Sequence, residues 1–319
     1  MIGLKIISST FCQGREAEGG AKMGLFSGQG MAFTIEGLSL KMLTFTGKRI
    51  EGWYSIPLNP NFVRDGLVAA PQEIGKIMAQ AIQEKGIPRN DVVAALSSAG
   101  SASQVLILPK VKGGKLKEVV ERELKRAMPG AADADYIYWR PLSSGGTAGQ
   151  RQQIYALAVP RNNVINMVEV CRTAGVKLKG MELKPFALAR AVNCKDGIIV
   201  HGEIDSIEIV IVDRSFPGMF RGIPVKDVSP SPESAWQYLA RELPFTIDYY
   251  NRSHHDSNIT AESSIYLSGG LALDPEMAPR LAQATGHKVA PIELPPGCPQ
   301  NFPLEQCLVN VGLMLKGKW

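Results

Sequence analysis

Two stretches decide how this chain is read: Thr34-Ile-Glu-Gly-Leu-Ser-Leu-Lys-Met-Leu-Thr-Phe45 and His201-Gly-Glu-Ile-Asp-Ser-Ile-Glu-Ile-Val-Ile-Val212. Each begins as a short strand, turns where a glycine stands beside a glutamate, and returns as a strand ending in apolar residues. The first extends back to Met31, so Met31–Phe45 reads as two strands joined at Glu36-Gly37, and Ile50–Leu58 follows as a third. The second lies in a strand block over Ile198–Val212. Because each echo opens one half of the chain, the pattern predicts a duplicated α/β body led twice by a β-hairpin.

The segments around these hairpins complete two such halves. Pro71 stands at a first helical position, Ile74, Ile77, Met78, Ala81 and Ile82 follow at helical spacing, and Gly86 stops the run. Val92–Leu96 and Gln104–Leu108 read as strands, Lys115–Met128 as an amphipathic helix, and Tyr136–Leu142 with Gln152–Val159 as a hairpin around Ser143–Gly149. A helix capped by Asn162 or Asn163 carries Val164, Met167, Val168 and Cys171 up to Gly175. Helices are then expected at Pro185–Val192, from Ser231 toward Tyr250 with a kink or break at Pro244, at Pro275–Thr285 and at Leu304–Leu315. Ser264–Leu267 is the intervening strand.

Composition bounds the function. The chain has 319 residues, 45% hydrophobic and 20% charged, which is ordinary for a globular protein and excludes disorder. Lys+Arg 35 against Asp+Glu 30 leaves +5, too thin a surplus for nucleic acid. No run reaches the roughly 18–20 apolar residues of a membrane span, and Lys5 interrupts the one apolar patch that could start a signal peptide. The five cysteines, at 12, 171, 194, 298 and 307, form no C-x-x-C pair and read as small buried hydrophobes. His254-His255-Asp256 reads as a polar loop rather than a metal site, and Asn258-Ile-Thr260 as a sequon without consequence in a cytoplasmic protein. Basic residues are densest between Lys110 and Arg126; that segment reads as a solvated helix back, with anionic lipid or an acidic partner as the alternative.

Five segments, taken in order from Met23-Gly-Leu-Phe-Ser27 through Asp65–Pro71, Val105–Pro109 and Glu182–Ala187 to Ile265–Gly270, resemble the PilM family of type IV pilus assembly, actin-like relatives of the division protein FtsA. Met23-Gly-Leu-Phe-Ser27 resembles the family's usual start, which makes Met1–Lys22 a disordered extension or an early start. Asp65-Gly-Leu-Val-Ala-Ala-Pro71 resembles its entry into the first helix, and Val105-Leu-Ile-Leu-Pro109 with Lys115–Pro129 its strand–Pro–helix–Pro stretch. Gly175-Val176 with Glu182-Leu-Lys-Pro-Phe-Ala187, and Ile265-Tyr-Leu-Ser-Gly-Gly270, resemble its return segment and its adenosine-approaching glycine pair. The resemblance implies an actin-like, Hsp70/hexokinase-type α/β fold of duplicated ribonuclease-H-like halves in four subdomains. Residues 1–30 would be a tail, 31–195 the first half with an FtsA/PilM-type inserted lobe at about 98–177, and 196–319 the second half. It further implies a cytoplasmic scaffold, peripheral to the inner membrane through its partners. Those would be other pilus platform proteins and the N-terminal peptide of a bitopic PilN-like protein, seated in a groove between the first subdomain and the inserted lobe. Asp65, Leu67, Val68, Leu106 and Leu108 are the partner-binding residues so implied. A type II secretion module like the cytoplasmic part of GspL remains a rival reading, although that protein continues into a membrane helix and this sequence shows none up to Trp319.

Family members bind ATP on two hairpins of pattern Asp-x-Gly, the Asp holding Mg²⁺ through water and the Gly clearing the way for phosphate. Here those positions read Thr34-Ile35-Glu36 and His201-Gly202-Glu203, with neither Asp and with Glu in both glycine positions. Side-chain alternation puts Thr34 with Glu36, and His201 with Glu203, on one face. A carboxylate about 5 Å from a phosphate charge at an effective dielectric near 20 costs about 3 kcal/mol. That cost is per pair of charges, so two such residues against a polyanion are enough to offset ordinary micromolar binding, worth about 8 kcal/mol. Two alternatives stand beside this: a slipped register with Gly37 as the loop glycine and Glu36 turned outward, or a Mg²⁺ site gathered by Glu36, Glu203 and Asp205. Ser39, Lys41, Gly269 and Gly270 keep the family pattern, so the cleft reads as vestigial, with no cofactor expected and ATP/Mg²⁺ binding or hydrolysis as the rival. The charge surplus, concentrated at 110–126, is not expected to offset the two acidic turns. No Walker A loop or nucleophile triad order offers another catalytic centre.

Overall fold

β1 (Gln29–Glu36) and β2 (Ser39–Thr46) form the first hairpin in an unbroken antiparallel register from Gln29↔Thr46 to Glu36↔Ser39. The turn is one residue later than expected: Gly37 and Leu38 both have φ of 56°, the two-residue turn whose backbone twist matches paired strands. The computed structural model describes residues 28–109, 115–127, 135–142, 151–227, 231–253 and 259–316. Most of the expected N-terminal tail, Met23–Ser27, Ser143–Gly149 and His254–Asp256 therefore lie outside the described residues. β3 (Arg49–Pro57) extends the meander, and β4 (Val63–Arg64) and β5 (Leu67–Val68) close a second tight turn at Asp65-Gly66. α1 (Pro71–Lys85) buries Ile74, Gly75, Met78, Ala81 and Ile82, and ends at Gly86, whose φ of 65° stops the helix. β6 (Val92–Leu96) lies parallel to β1.

The chain divides into two compact units, Gly100–Ile165 and all the rest. The first contains β7 (Ala102–Pro109), α2 (Leu116–Ala127), β8 (Asp135–Pro141) and β9 (Arg151–Pro160), an antiparallel sheet ordered β7-β9-β8. Val120 and Leu124 of α2 pack on Leu106, Leu108, Ile154, Ala156 and Ala158, which is this unit's own core.

In the larger unit, α3 (Arg161–Ala174) leads into β10 (Leu178–Leu183), which pairs parallel with β6. The helix already begins at Arg161, so Asn162 and Asn163 lie inside its first turn and neither caps it. α4 (Lys184–Val192) follows, then β11 (Gly197–Gly202), β12 (Ser206–Asp213) and β13 (Phe216–Pro224). α5 (Pro232–Ser253) runs through Pro244 as one helix, because its buried face of Ala235, Leu239, Leu243, Thr246 and Tyr250 holds both sides of the proline to the sheet. β14 (Ile265–Ser268), α6 (Met277–Thr285), β15 (Val289–Ala290) and α7 (Leu304–Leu315) complete the fold.

Topology makes the duplication explicit. One sheet runs β3-β2-β1-β6-β10 and the other β13-β12-β11-β14-β15, each an antiparallel meander followed by two parallel strands. β1 and β11, the two echo strands, hold the centres. Between β13 and α5, and between α5 and β14, only short connections remain (225–231 and 254–264), too little chain to bury a core.

Candidate functional site

The two echo hairpins end against each other. Glu36, last residue of β1, and Glu203, just past β11, are both buried, and the ammonium of Lys41 lies between them. Lys41 Nζ stands 3.2 Å from Glu36 Oε1 and 2.6 Å from Glu203 Oε1. Lys184, at the start of α4 and 0% exposed, places Nζ 3.0 Å from Glu36 Oε2. His201 Nε2 is 3.2 Å from the same oxygen, and its Nδ1 is 3.0 Å from Ser268 Oγ.

This corrects two expectations. Gly37 is indeed the loop glycine, but Glu36 is only 1% exposed and points inward, as strand alternation from buried Thr34 requires. The two acidic turns are also not left bare, because Lys41 and Lys184 neutralise them from within. Burial alone would push the Glu36 carboxyl up, but Lys184, Lys41 and His201 outweigh it and hold it well below the usual carboxylate range. The lysines respond in kind: burial disfavours their charge, yet Glu36 and Glu203 raise Lys41, and Glu36, Glu208 and Asp205 raise Lys184. Ligand atoms of Glu36, His201 and Glu203 all lie within 4.8 Å of one another, a spacing that could hold a metal ion, but any cation there competes with the Lys41 ammonium.

The glycines show how tightly the turns meet. A Cβ on Gly37 would strike Glu203 Oε2, and one on Gly270 would approach the same oxygen to 2.8 Å. Gly269, with φ of 86°, lies against the Gly202 carbonyl. Asp205 Oδ1 accepts from the Gly37 backbone N–H (3.2 Å) and from Ser206 Oγ (3.0 Å), while its Oδ2 is buried without a hydrogen bond. Gly66, in the β4–β5 turn, packs on Ser206. Ser39 stays half-buried in the first turn, its hydroxyl 3.5 Å from the Gly37 carbonyl.

Sequence reasoning missed three participants. Glu208 on β12 accepts from the backbone N–H of Ser98 (2.8 Å) and from the hydroxyls of Ser97 and Ser98, and Ala99 bridges Gly222 beside it. Asn310, 0% exposed on α7, donates to the carbonyls of Ala32 (3.0 Å) and Lys41 (3.2 Å). Lys184 is the third. Asn310 carried a readable signal, one polar residue in the apolar run Cys307–Leu315, which survives burial only with partners. A separate buried cluster joins Glu182 to Arg190 (2.7 Å) and Lys316 (2.6 Å), pinning the end of α7.

The expected partner-binding residues scatter. Asp65 is exposed in its turn (φ 55°), and Leu67 and Val68 are half-buried, the Val68 carbonyl accepting from Asn166 Nδ2 at 2.8 Å. Leu106 and Leu108 are 6% and 5% exposed and belong to the core beneath α2, because alternate residues of β7 face that helix. The residues facing the other way are Val105, Ile107 and Pro109; Ile107 is 60% exposed.

Two like sheets joined by crossed helices, with their leading hairpins turned into one cleft, define an actin-like fold. A Bacteroides thetaiotaomicron protein described as having an actin-like ATPase fold and unknown function superposes with a TM-score of 0.51 at 8% identity, covering 93% of this chain and 99% of its own. The ethanolamine utilization protein EutJ from Carboxydothermus hydrogenoformans gives 0.50 at 14% identity, with 90% and 89% covered. A solved PilM-PilN type IV pilus biogenesis complex gives 0.72 at 19% identity, over 90% of this chain and 98% of the other. The family model of the type IV pilus assembly protein PilM matches residues 33–216, and the chain belongs to that family. No curated protein matches it in sequence.

Proposed function

We propose that this chain is a pilus-assembly scaffold that binds the N-terminal segment of a PilN-like membrane protein and works without bound nucleotide. Family membership carries the first part, and the solved PilM-PilN complex supports the choice of partner. No helix among the described residues is long and apolar enough to cross a membrane. Attachment to the membrane through the partner fits that observation. The second part rests on Glu203, whose carboxylate lies against Gly37 of the first turn and Gly270 of the glycine pair that resembles the family's approach to adenosine.

For the partner segment, an extended peptide is the fitting chemistry. β7 is an edge strand of its sheet and presents Ile107 and Val105 away from its own core, an edge suited to strand addition beside exposed apolar side chains. Leu67 and Val68 are proposed as a second contact surface on the larger unit. The test is capture of the full chain by a synthetic peptide of the partner's N-terminal segment. Binding should fall at least tenfold in Ile107→Asp and be unchanged by Mg·ATP. Failure of the folded wild-type chain to bind the peptide, or full binding by Ile107→Asp, contradicts the respective parts of the reading.

A further inference from the structure

We infer that the cleft is a self-filled latch: Lys41 serves as its resident cation, Glu203 fills its phosphate cradle, and together they hold the two halves closed with neither nucleotide nor metal. The inference rests on the reading above only for what the cleft would otherwise hold.

A Mg·ATP site needs glycines open to phosphate and a carboxylate free for the metal's water. The first condition is not met, and of the cleft's carboxylates Glu36 and Glu203 are taken by lysines, which leaves Asp205 Oδ2 alone without a hydrogen bond among the described residues. The faces of Gly37 and Gly270 are covered by one carboxylate, Glu203. That carboxylate and Glu36 share the ammonium of Lys41 at 2.6 and 3.2 Å, and the remaining oxygen of Glu36 faces Lys184 at 3.0 Å. A phosphate would have to displace Glu203 and leave Lys41 with half its partners. A divalent ion would have to displace the ammonium itself. Each exchange strips a buried charge of its counter-charge, the costly way to disturb an ion pair.

What these contacts do together follows from where their partners come from. Glu36, Lys41 and the Gly37 N–H belong to the first sheet or its turn, and Glu203, His201 and Asp205 to the second. Two further ties lie on the same seam. Glu208 of β12 holds the backbone of Ser98 just after β6, and Ser206 seats the Gly66 turn. Asn310 of α7 reads the carbonyls of Ala32 on β1 and Lys41 on β2. The turns that would hand a γ-phosphate between the halves instead hold each other.

Amide hydrogen exchange on the full chain tests this. In the wild type without nucleotide, the Gly37 and Ser98 amides should exchange at least a hundredfold slower than in an unstructured chain. Lys41→Met, which keeps the length and removes the cation, should speed both at least tenfold while Ile209 in β12 and Ala156 in β9 stay unchanged. Glu203→Gln keeps the shape with a neutral group and should give an intermediate effect. It stands in if Lys41→Met does not fold. Unprotected Gly37 and Ser98 in the wild type overturn the latch, as do variants that fold and leave both rates unchanged. Peptide capture is scored separately, so a scaffold reading that fails leaves the latch standing, and the reverse holds too.

Discussion

Lys184 sets the clearest requirement at the scale of single residues. Its ammonium is fully buried, 3.0 Å from Glu36 and under the influence of Glu208 and Asp205. Such a pair is a weak source of net stability, because both ions were taken from water, but removing one member leaves the other stranded. Lys184→Met should therefore destabilise the protein by about 3–5 kcal/mol in urea unfolding, and adding Glu36→Gln should recover part of that loss. An equal loss in the single and double variants would show that Lys184 acts by packing alone. At this scale the sequence was half legible. Glu36 and Glu203 stood out because they replace glycines in a repeated pattern, and alternation put both in the cleft. Their counter-ions did not stand out, because Lys41 and Lys184 each lay in a segment read only for its match to the family. Their burial is set by packing of elements distant in the chain, which local pattern does not encode.

Elements tell a different story. α1 and α7 were readable almost to the residue, because Pro71, Gly86 and the apolar run from Leu304 are local signals. β13 was not: Phe216-Pro-Gly-Met-Phe-Arg-Gly-Ile-Pro224 has two prolines and two glycines, the composition of a loop. It is a strand because β12 pairs with it from Ser206↔Pro224 to Asp213↔Phe216, at the sheet edge where proline is tolerated. β7 was placed correctly, but its alternation was not used to tell which of its faces is buried. Leu106 and Leu108 belong with Val120 and Leu124, and Ile107 faces outward. Leu124→Ala should destabilise the smaller unit by about 2–5 kcal/mol, whereas Ile107→Asp should change stability by less than about 0.5 kcal/mol. Circular dichroism melts of the full chain separate the two. Comparable losses would mean that Ile107 is held in a core of its own.

For the whole molecule, the duplicated sheets bring their two leading hairpins together along one seam. Actin-like halves meet along a seam that a ligand can help to hold. Here the seam carries its own charges, Glu36, Glu203 and Asp205 against Lys41 and Lys184, and crossed helices on either side. α4 and α7 cross so closely that a Cβ on Gly312 would strike the Ala187 carbonyl, and Arg190 donates to the Gly312 carbonyl at 2.6 Å across the same contact. The overall surplus of +5 owes nothing to this seam, where three buried carboxylates stand with two buried lysines. The most direct measurement is the melting temperature of the full chain across a Mg·ATP titration into the millimolar range. A ligand at a hundred times its Kd adds about 2.7 kcal/mol, which moves the melting point of a chain this size by several degrees. The self-filled cleft predicts no shift at any concentration; a saturable rise of several degrees would contradict it.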